Sequence, residues 1–462
     1  MKRMLAVLAT TAAVRCAFGF GARDAVTAAA AEPLARSVGT VARAPLDVGS
    51  LLTAARGAPP VICALAARAL RGDRWGRAAD APASPLGHVL PDDDGESRRL
   101  AGADVDRLLD ALASEDGCVR ELSARLLGRR DDATVVSPLV SRLAAPSATL
   151  RAAAAMSLGL AAPASAVTPL VRVLGDASPD VRANAAWALG RIGGGGSLAA
   201  LLPHVGDDQA TVREAVVTAV GHFESTSTAG VLGRVLRQDP APAVRRVAAW
   251  ALGQLGAGVV AAPLTEALAR DADPRVREMA AWAVGQHAGR GAASPALVTA
   301  LQGDADPAVR ETAAWALGES GDGGAADALG TAAGGDRDAR VRGTAAWALG
   351  QFVRRSAPAG LVHAVRDEVG DVRLKAAWAL GQIGDAAAQS ALREALGRET
   401  DARARRALVR ALLRSGEQSP QALQQLLASS DPQVREAAVR GLAGQSRMDP
   451  WPWPWPRPRP FP

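Results

Sequence analysis

Val309-Arg310-Glu311-Thr312-Ala313-Ala314-Trp315-Ala316-Leu317-Gly318 recurs in close copies along most of the chain. Aligned on the Val-Arg pair, the copies begin at Val119, Leu150, Val181, Val212, Val244, Val276, Val309, Val341, Val372, Ala404 and Val434, 30 to 33 residues apart. A fixed period of that size marks stacked units, none of which can bury its apolar face alone. On a helix at ~100° per residue with Val309 at the origin, Ala313 falls at ~40°, Leu317 at ~80° and Ala316 at ~340°, which makes one buried face. Ala314, at ~140°, is matched by Ala186, Ala249, Ala281, Ala346 and Ala377 and suits a flank that a neighbouring helix approaches closely. Trp315 falls at ~240°, almost opposite the core, and is expected to point along a strip that the neighbouring helices leave open. Gly318 reads as the glycine that ends the helix.

The segment before each Val-Arg pair supplies the other half of the unit. In Ala261-Ala262-Pro263-Leu264-Thr265-Glu266-Ala267-Leu268-Ala269 an early Pro suits a first helical turn, and Arg270-Asp271-Ala272-Asp273-Pro274 then supplies turn and N-cap signals for the next helix. Each repeat is therefore helix, turn, helix, and the chain reads as an all-α, right-handed α-solenoid of about eleven such repeats. The order of Asp, Val-Arg and Ala-Ala-x-Ala-Leu-Gly resembles the HEAT repeats of the bilin-lyase-like class over residues 104–446.

Asp176, Asp207, Asp239, Asp271, Asp304, Asp336 and Asp367 each stand six residues before Arg182, Arg213, Arg245, Arg277, Arg310, Arg342 and Arg373. A charged binding track is one reading of this series. The resemblance implies the other, a structural Asp/Arg ladder between repeats, which fixes register more than it adds net stability.

The composition agrees with closely packed helices: 462 residues, 48% hydrophobic, 3% aromatic and no Tyr. The net charge of +6 sits mainly at the termini, with +3 in residues 1–31 and +2 in the last twelve, so that +1 remains between them. A nearly neutral solenoid is a poor polyanion binder, and no nucleic acid is expected as a partner.

Lys2-Arg3, the apolar run from Met4 to Val14 and Ala29-Ala30-Ala31 before Glu32 have the shape of an export signal over residues 1–31, which predicts a periplasmic protein. The alternative is the frayed N-terminal helix of a cytoplasmic one. Residues 32–103 do not keep the repeat and read as an irregular cap or linker with one helix at 61–70. In an exported protein Cys63 and Cys118 can pair; otherwise they are two buried thiols. Residues 447–462, with Trp451, Trp453, Trp455, Arg457 and Arg459 set among Pro, form a polyproline II tail. It reads as a linker, a docking peptide for the chain's own groove, or a patch for a membrane surface.

Catalytic chemistry finds no support. His88, His204, His222, His287 and His363 are isolated and never followed by Glu, whereas the repeat-built iron hydroxylases that act on a modified lysine require His-Glu pairs. No nucleophile motif occurs, and Gly193-Gly194-Gly195-Gly196 lacks the Lys of a phosphate cradle and reads as a loop. No catalytic residue, metal or cofactor is expected. The position of Trp315 reads Arg125, Met156, Trp187, Thr218, Trp250, Trp282, Trp315, Trp347, Trp378, Arg410 and Arg440 along the repeats. Such a Trp series either fills gaps between repeats or lines a concave groove for an extended or Pro-rich peptide. The sequence therefore predicts a non-catalytic scaffold that binds a protein or extended peptide along Trp187, Trp250, Trp282, Trp315, Trp347 and Trp378. The rival, implied by the resemblance, is a bilin-lyase-type enzyme or chromophore-handling accessory factor.

Overall fold

The computed structural model describes residues 47–59, 102–255, 261–287, 295–321, 323–351, 356–417 and 419–442. The expected export signal, Cys63, the expected helix at 61–70 and the tail from 447 lie outside the described residues. Contacts divide the chain into residues 1–47 with 98–100 and residues 48–97 with 101–462, and every described helix belongs to the second unit.

Among the described residues all regular structure is helical, and it alternates between a leading helix and a signature helix that carries the Val-Arg pair. Ala261–Arg270 leads Pro274–His287, Pro295–Gly303 leads Pro307–Ser320, and Ala326–Gly335 leads Ala339–Gly350. Each interior signature helix packs on its own leading helix and on the signature helices before and after it, which makes an all-α solenoid. The starts follow from local chemistry. Asp306 accepts from the Ala308 N–H while Pro307 takes the first helical position, where no N–H is needed, and Asp338 accepts from Arg340 in the same way.

The core is what the wheel requires. Val309, Ala313, Ala314, Ala316 and Leu317 are all 0% exposed. Because the facing residues are mostly Ala, the helices come close and small differences in side-chain volume are felt directly.

Two local expectations change. Gly318 does not end its helix, which runs on to Ser320 and is closed by Gly321 in the left-handed region at φ 65°. Gly318 is instead a point of close approach: a Cβ there would lie 2.8 Å from the Ala348 Cβ. The Gly193–Gly196 run is also only half loop, since Gly195 and Gly196 already begin the helix Gly195–Leu201.

The N-terminal boundary contains an element that the sequence reading did not single out. Helix Val48–Ala55 buries Val48, Leu52 and Ala55 against Gly102–Ala111 and Gly117–Leu127. Its apolar spacing of four and three is helical, but eight residues between Pro- and Gly-rich flanks give a weak signal. Asp116 ties this region together. Its carboxylate accepts from Gly57 N at 2.7 Å, Cys118 N at 2.8 Å and Val119 N at 3.0 Å. Cys118 is buried and disulfide-bonded, not a free thiol; Cys63, one residue with which it can pair, lies outside the described residues.

Candidate functional site

Six residues after the Val of each signature helix comes the position expected to face open solvent. The rings do otherwise. Trp187, Trp250, Trp282, Trp347 and Trp378 are only 2 to 9% exposed. Each of these indoles lies over the signature glycine of the preceding repeat. A Cβ built on Gly221 would stand 2.6 Å from Trp250 Cζ3, one on Gly253 2.7 Å from Trp282 Cζ3, and one on Gly318 3.0 Å from Trp347 Cζ3. Gly159 meets Trp187 and Gly350 meets Trp378 in the same manner. The series is thus first an inter-repeat packing device in which a missing side chain on one repeat receives the ring of the next. The N–H edge lies across the ring from Cζ3, and the Nε1 atoms of Trp282 and Trp347 are buried with no acceptor among the described residues. A row of accessible indole donors is not what these residues present.

Trp315 is the exception. The atoms nearest to a Cβ on Gly285 all belong to Ala316, and the Trp315 ring is half-buried, between Glu311 one turn before it and exposed Glu319 one turn after it. The same face carries two further columns along the stack. One runs through Arg246, Glu278 and Glu311 and continues as Gly343 and Leu374; the other runs through Arg191, His222, Gln254, Gln286, Glu319, Gln351 and Gln382. Arg191 lies over the Trp187 ring at 5.1 Å and His222 meets Trp250 edge-on at 5.1 Å, so the first two members of that column cover indoles.

Charge concentrates around Trp315. Burial pushes the Glu278 carboxyl above the usual carboxylate range, Asp306 and Glu311 add to this by repulsion, and a hydrogen bond with Thr312 and the charge of Arg246 oppose it. Glu311 in turn accepts from Thr344 Oγ1 at 3.5 Å and lies 3.8 Å from Arg340 Nη1. The middle of the strip therefore brings the carboxylates of Glu278, Glu311 and Glu319 onto the face that carries Trp315.

The Asp and Arg series is brought together one repeat out of step with its sequence neighbours. Arg182 Nε and Nη2 each donate to Asp207 at 2.8 Å, while Arg182 Nη1 donates to the backbone carbonyl of Asp176 at 2.9 Å. The same fork joins Arg213 to Asp239, Arg245 to Asp271, Arg277 to Asp304, Arg310 to Asp336 and Arg342 to Asp367. Each carboxylate also caps its turn, as Asp271 does by accepting from Asp273 N at 2.9 Å. Sequence reasoning missed the outer members: Arg151 pairs with Asp176, Arg373 with Glu399, and Arg406 with Asp431. Arg151 was visible as the residue after Leu150, and Glu399 hides the pattern only because the acid is one carbon longer. The bond from Arg151 holds the Asp176 carboxyl below the usual range, and that from Arg373 does the same for Glu399.

Elsewhere, an open depression of about 790 Å³ lies between Ala326–Gly335 and Ala359–Ala364, where Gly330, Gly334 and Gly360 let the helices meet. Asp327, Thr331 and His363 are its polar groups. Among the described residues no group of three or more His, Cys, Asp or Glu is placed to hold a metal, and no helix is long and apolar enough to cross a membrane.

The sequence profile of HEAT repeats matches four overlapping stretches, residues 136–221, 198–285, 261–350 and 326–413. No curated protein matches the sequence. Among solved structures, the chain is similar to one in the Kap95–Nup1 complex, 16% identical over 74% of this chain and 57% of that one, with a TM-score of 0.50. It is also similar to YibA of E. coli, 18% identical over 65% of this chain and 97% of that one at a TM-score of 0.41. Human deoxyhypusine hydroxylase is 25% identical over 54% of this chain and 96% of that one, at a TM-score of 0.26.

Proposed function

The chain belongs to the HEAT-repeat family, and on that premise we propose that it is a non-catalytic interaction scaffold that takes an extended protein segment along the solvent-facing strip of its signature helices. The observation that carries this reading is the neighbourhood of Trp315, where the one indole of the series left half-open stands among Glu278, Glu311 and Glu319. An aromatic face beside several carboxylates suits a segment with basic side chains, and Pro residues in that segment lower the entropy lost on binding. The buried Trp residues act here as the floor that keeps neighbouring strips in register, and Trp315 makes the contact.

Calorimetric titration of the full chain with an alternating Arg-Pro peptide of about twelve residues, against an alternating Glu-Pro control, tests the reading. Saturable binding of the basic peptide, weakened at least tenfold by Glu278→Lys with Glu311→Lys and by Trp315→Ala, is the expected result. Equal affinity for the acidic control, or binding indifferent to these substitutions, would remove the strip from consideration. A visible absorption band on the purified protein would favour instead the chromophore-handling role that the bilin-lyase resemblance suggests.

A further inference from the structure

The last described repeat ends on a face that every earlier repeat has covered. Five residues after the Val of each signature helix, Ala249, Ala281, Ala314, Ala346, Ala377 and Val409 are all 0% exposed, because the next signature helix lies against them. The equivalent residue of Pro432–Leu442 is Val439, at 55%, and Leu427 in the same repeat is 39% exposed. Leu426, Val434 and Ala438 of this repeat form a small buried cluster with Val409, so the exposed residues belong to a packed helix pair.

The ladder is open at the same place. Interior arginines use Nη1 on the carbonyl six residues before them and Nε with Nη2 on a carboxylate of the next repeat. Arg435 makes only the first half of this arrangement, with Nη1 donating to the Ser429 carbonyl at 2.6 Å. Among the described residues no carboxylate reaches its other two N–H groups.

We propose that the chain closes this end itself, with Asp449 seated on Arg435 and Trp451 laid over Val439. Asp449 is the sole acidic side chain after Glu436, and it stands in Asp449-Pro450-Trp451. That is the local sequence of Asp239-Pro240-Ala241, where Asp239 takes Arg213 Nε at 2.7 Å and Nη2 at 3.0 Å and caps its own turn by accepting from Ala241 N at 2.9 Å. Interior arginines find their carboxylate 25 to 27 residues later because a leading helix intervenes. Here the leading helix is dispensed with. From Leu442, residues 443–449 reach about 24 Å when extended, whereas Arg435 lies only ~10 Å back along its helix. The indole two residues after the carboxylate then supplies flat apolar surface for Val439 and Leu427. This closure is independent of the groove reading and involves none of its residues.

Amide hydrogen exchange of the full-length protein, followed over residues 432–442, tests the closure through a charge swap. Asp449→Lys and Arg435→Asp singly should each raise exchange there by about fivefold, as for one exposed ion pair, and the double variant should return it to the original rate. Trp451→Ala should raise exchange over the same residues with no effect on the interior repeats. Unchanged exchange in Asp449→Lys, or a double variant no better than the singles, would overturn the proposal. Protection that grows with protein concentration, together with a dimer in sedimentation, would overturn it in favour of a second copy covering the face.

Discussion

At the N-terminal end of the repeat stack a short helix lies across the first helix pair with Val48 fully buried, whereas at the C-terminal end Val439 stands 55% exposed on a helix of the same repeat type. The first junction also holds a buried ion pair, Glu121 with Arg125, at the position that Trp occupies further on, and Asp116 with three backbone donors. At the last junction Arg406 replaces the usual fork with a single bond to Asp431 at 2.8 Å, and its side chain is 32% exposed. In a stack whose units touch only their neighbours, the stability of a unit depends on what is laid over each side of it. The contrast teaches that an end is made by its covering and not by the repeat's own residues, which differ little between the two.

The largest effect should come from the interior side of this contrast. Arg310→Ala leaves Asp336, 9% exposed, without its fork and should cost about 3–5 kcal/mol, while Arg406→Ala should cost about 1 kcal/mol or less. Denaturant unfolding of the two variants measures both, and equal losses would erase the difference between an interior and a terminal junction. Next in size, Leu52→Ala should cost about 2–3 kcal/mol and raise amide exchange across Gly102–Leu127, as removal of a buried Leu from a sealing helix does. If Leu52→Ala falls within ~0.5 kcal/mol of wild type, the N-terminal helix does not seal its end.

Acid should loosen the C-terminal end. The bond from Arg406 holds the Asp431 carboxyl below its usual range, as the bond from Arg151 does for Asp176. A depressed folded-state value contributes stability that is present above the ordinary carboxylate range and is lost as pH falls through the depressed one. Exchange over Pro432–Leu442, corrected for its intrinsic pH dependence, should therefore rise as pH falls below the ordinary carboxylate range of about 4. Exchange there that stays unchanged on acidification would contradict the role given to the Arg406 bond.

The smallest effect has the opposite sign. Glu278 is raised, so its ionised form works against folding at neutral pH, and lowering the pH through its folded-state value removes that burden. Glu278→Gln should raise the melting midpoint slightly at pH 7, with the gain gone near pH 4. A midpoint lowered at pH 7 would mean that the charge of Glu278 is needed for packing, not held in reserve for a partner.

The helix pairs are legible in the sequence because Val, Ala and Leu recur at helical spacing and Asp-x-Asp-Pro marks the turns between them. The course of the Trp side chains is not. A helical wheel gives the direction of Cα–Cβ, and the torsions beyond it then choose which neighbour the ring covers; the missing Cβ on Gly221 or Gly253 decides that choice, and it lies on another repeat. Gly318 misleads for the same reason, since a glycine near the end of a helix can serve either a cap or a close approach. The forks were half legible. An offset of six is conspicuous within a repeat, but it describes the backbone contact, and the carboxylate that each arginine grips is 25 to 27 residues further on.

The Gly-to-Trp contact also gives the chain a polarity that its repeated sequence hides. Each unit offers a hollow on its forward side and a plug on its rearward side, so any two such units join in one order and a unit turned round would bring plug against plug. Gain or loss of whole units by gene duplication or deletion preserves every joint, while a break of any other length sets an indole against an alanine Cβ. Thr218 and Trp315 mark the two places in the central run where the coupling differs, by absence of the indole at one and by its release from the glycine at the other. Those two joints are where an archive of past insertions in this chain should be sought.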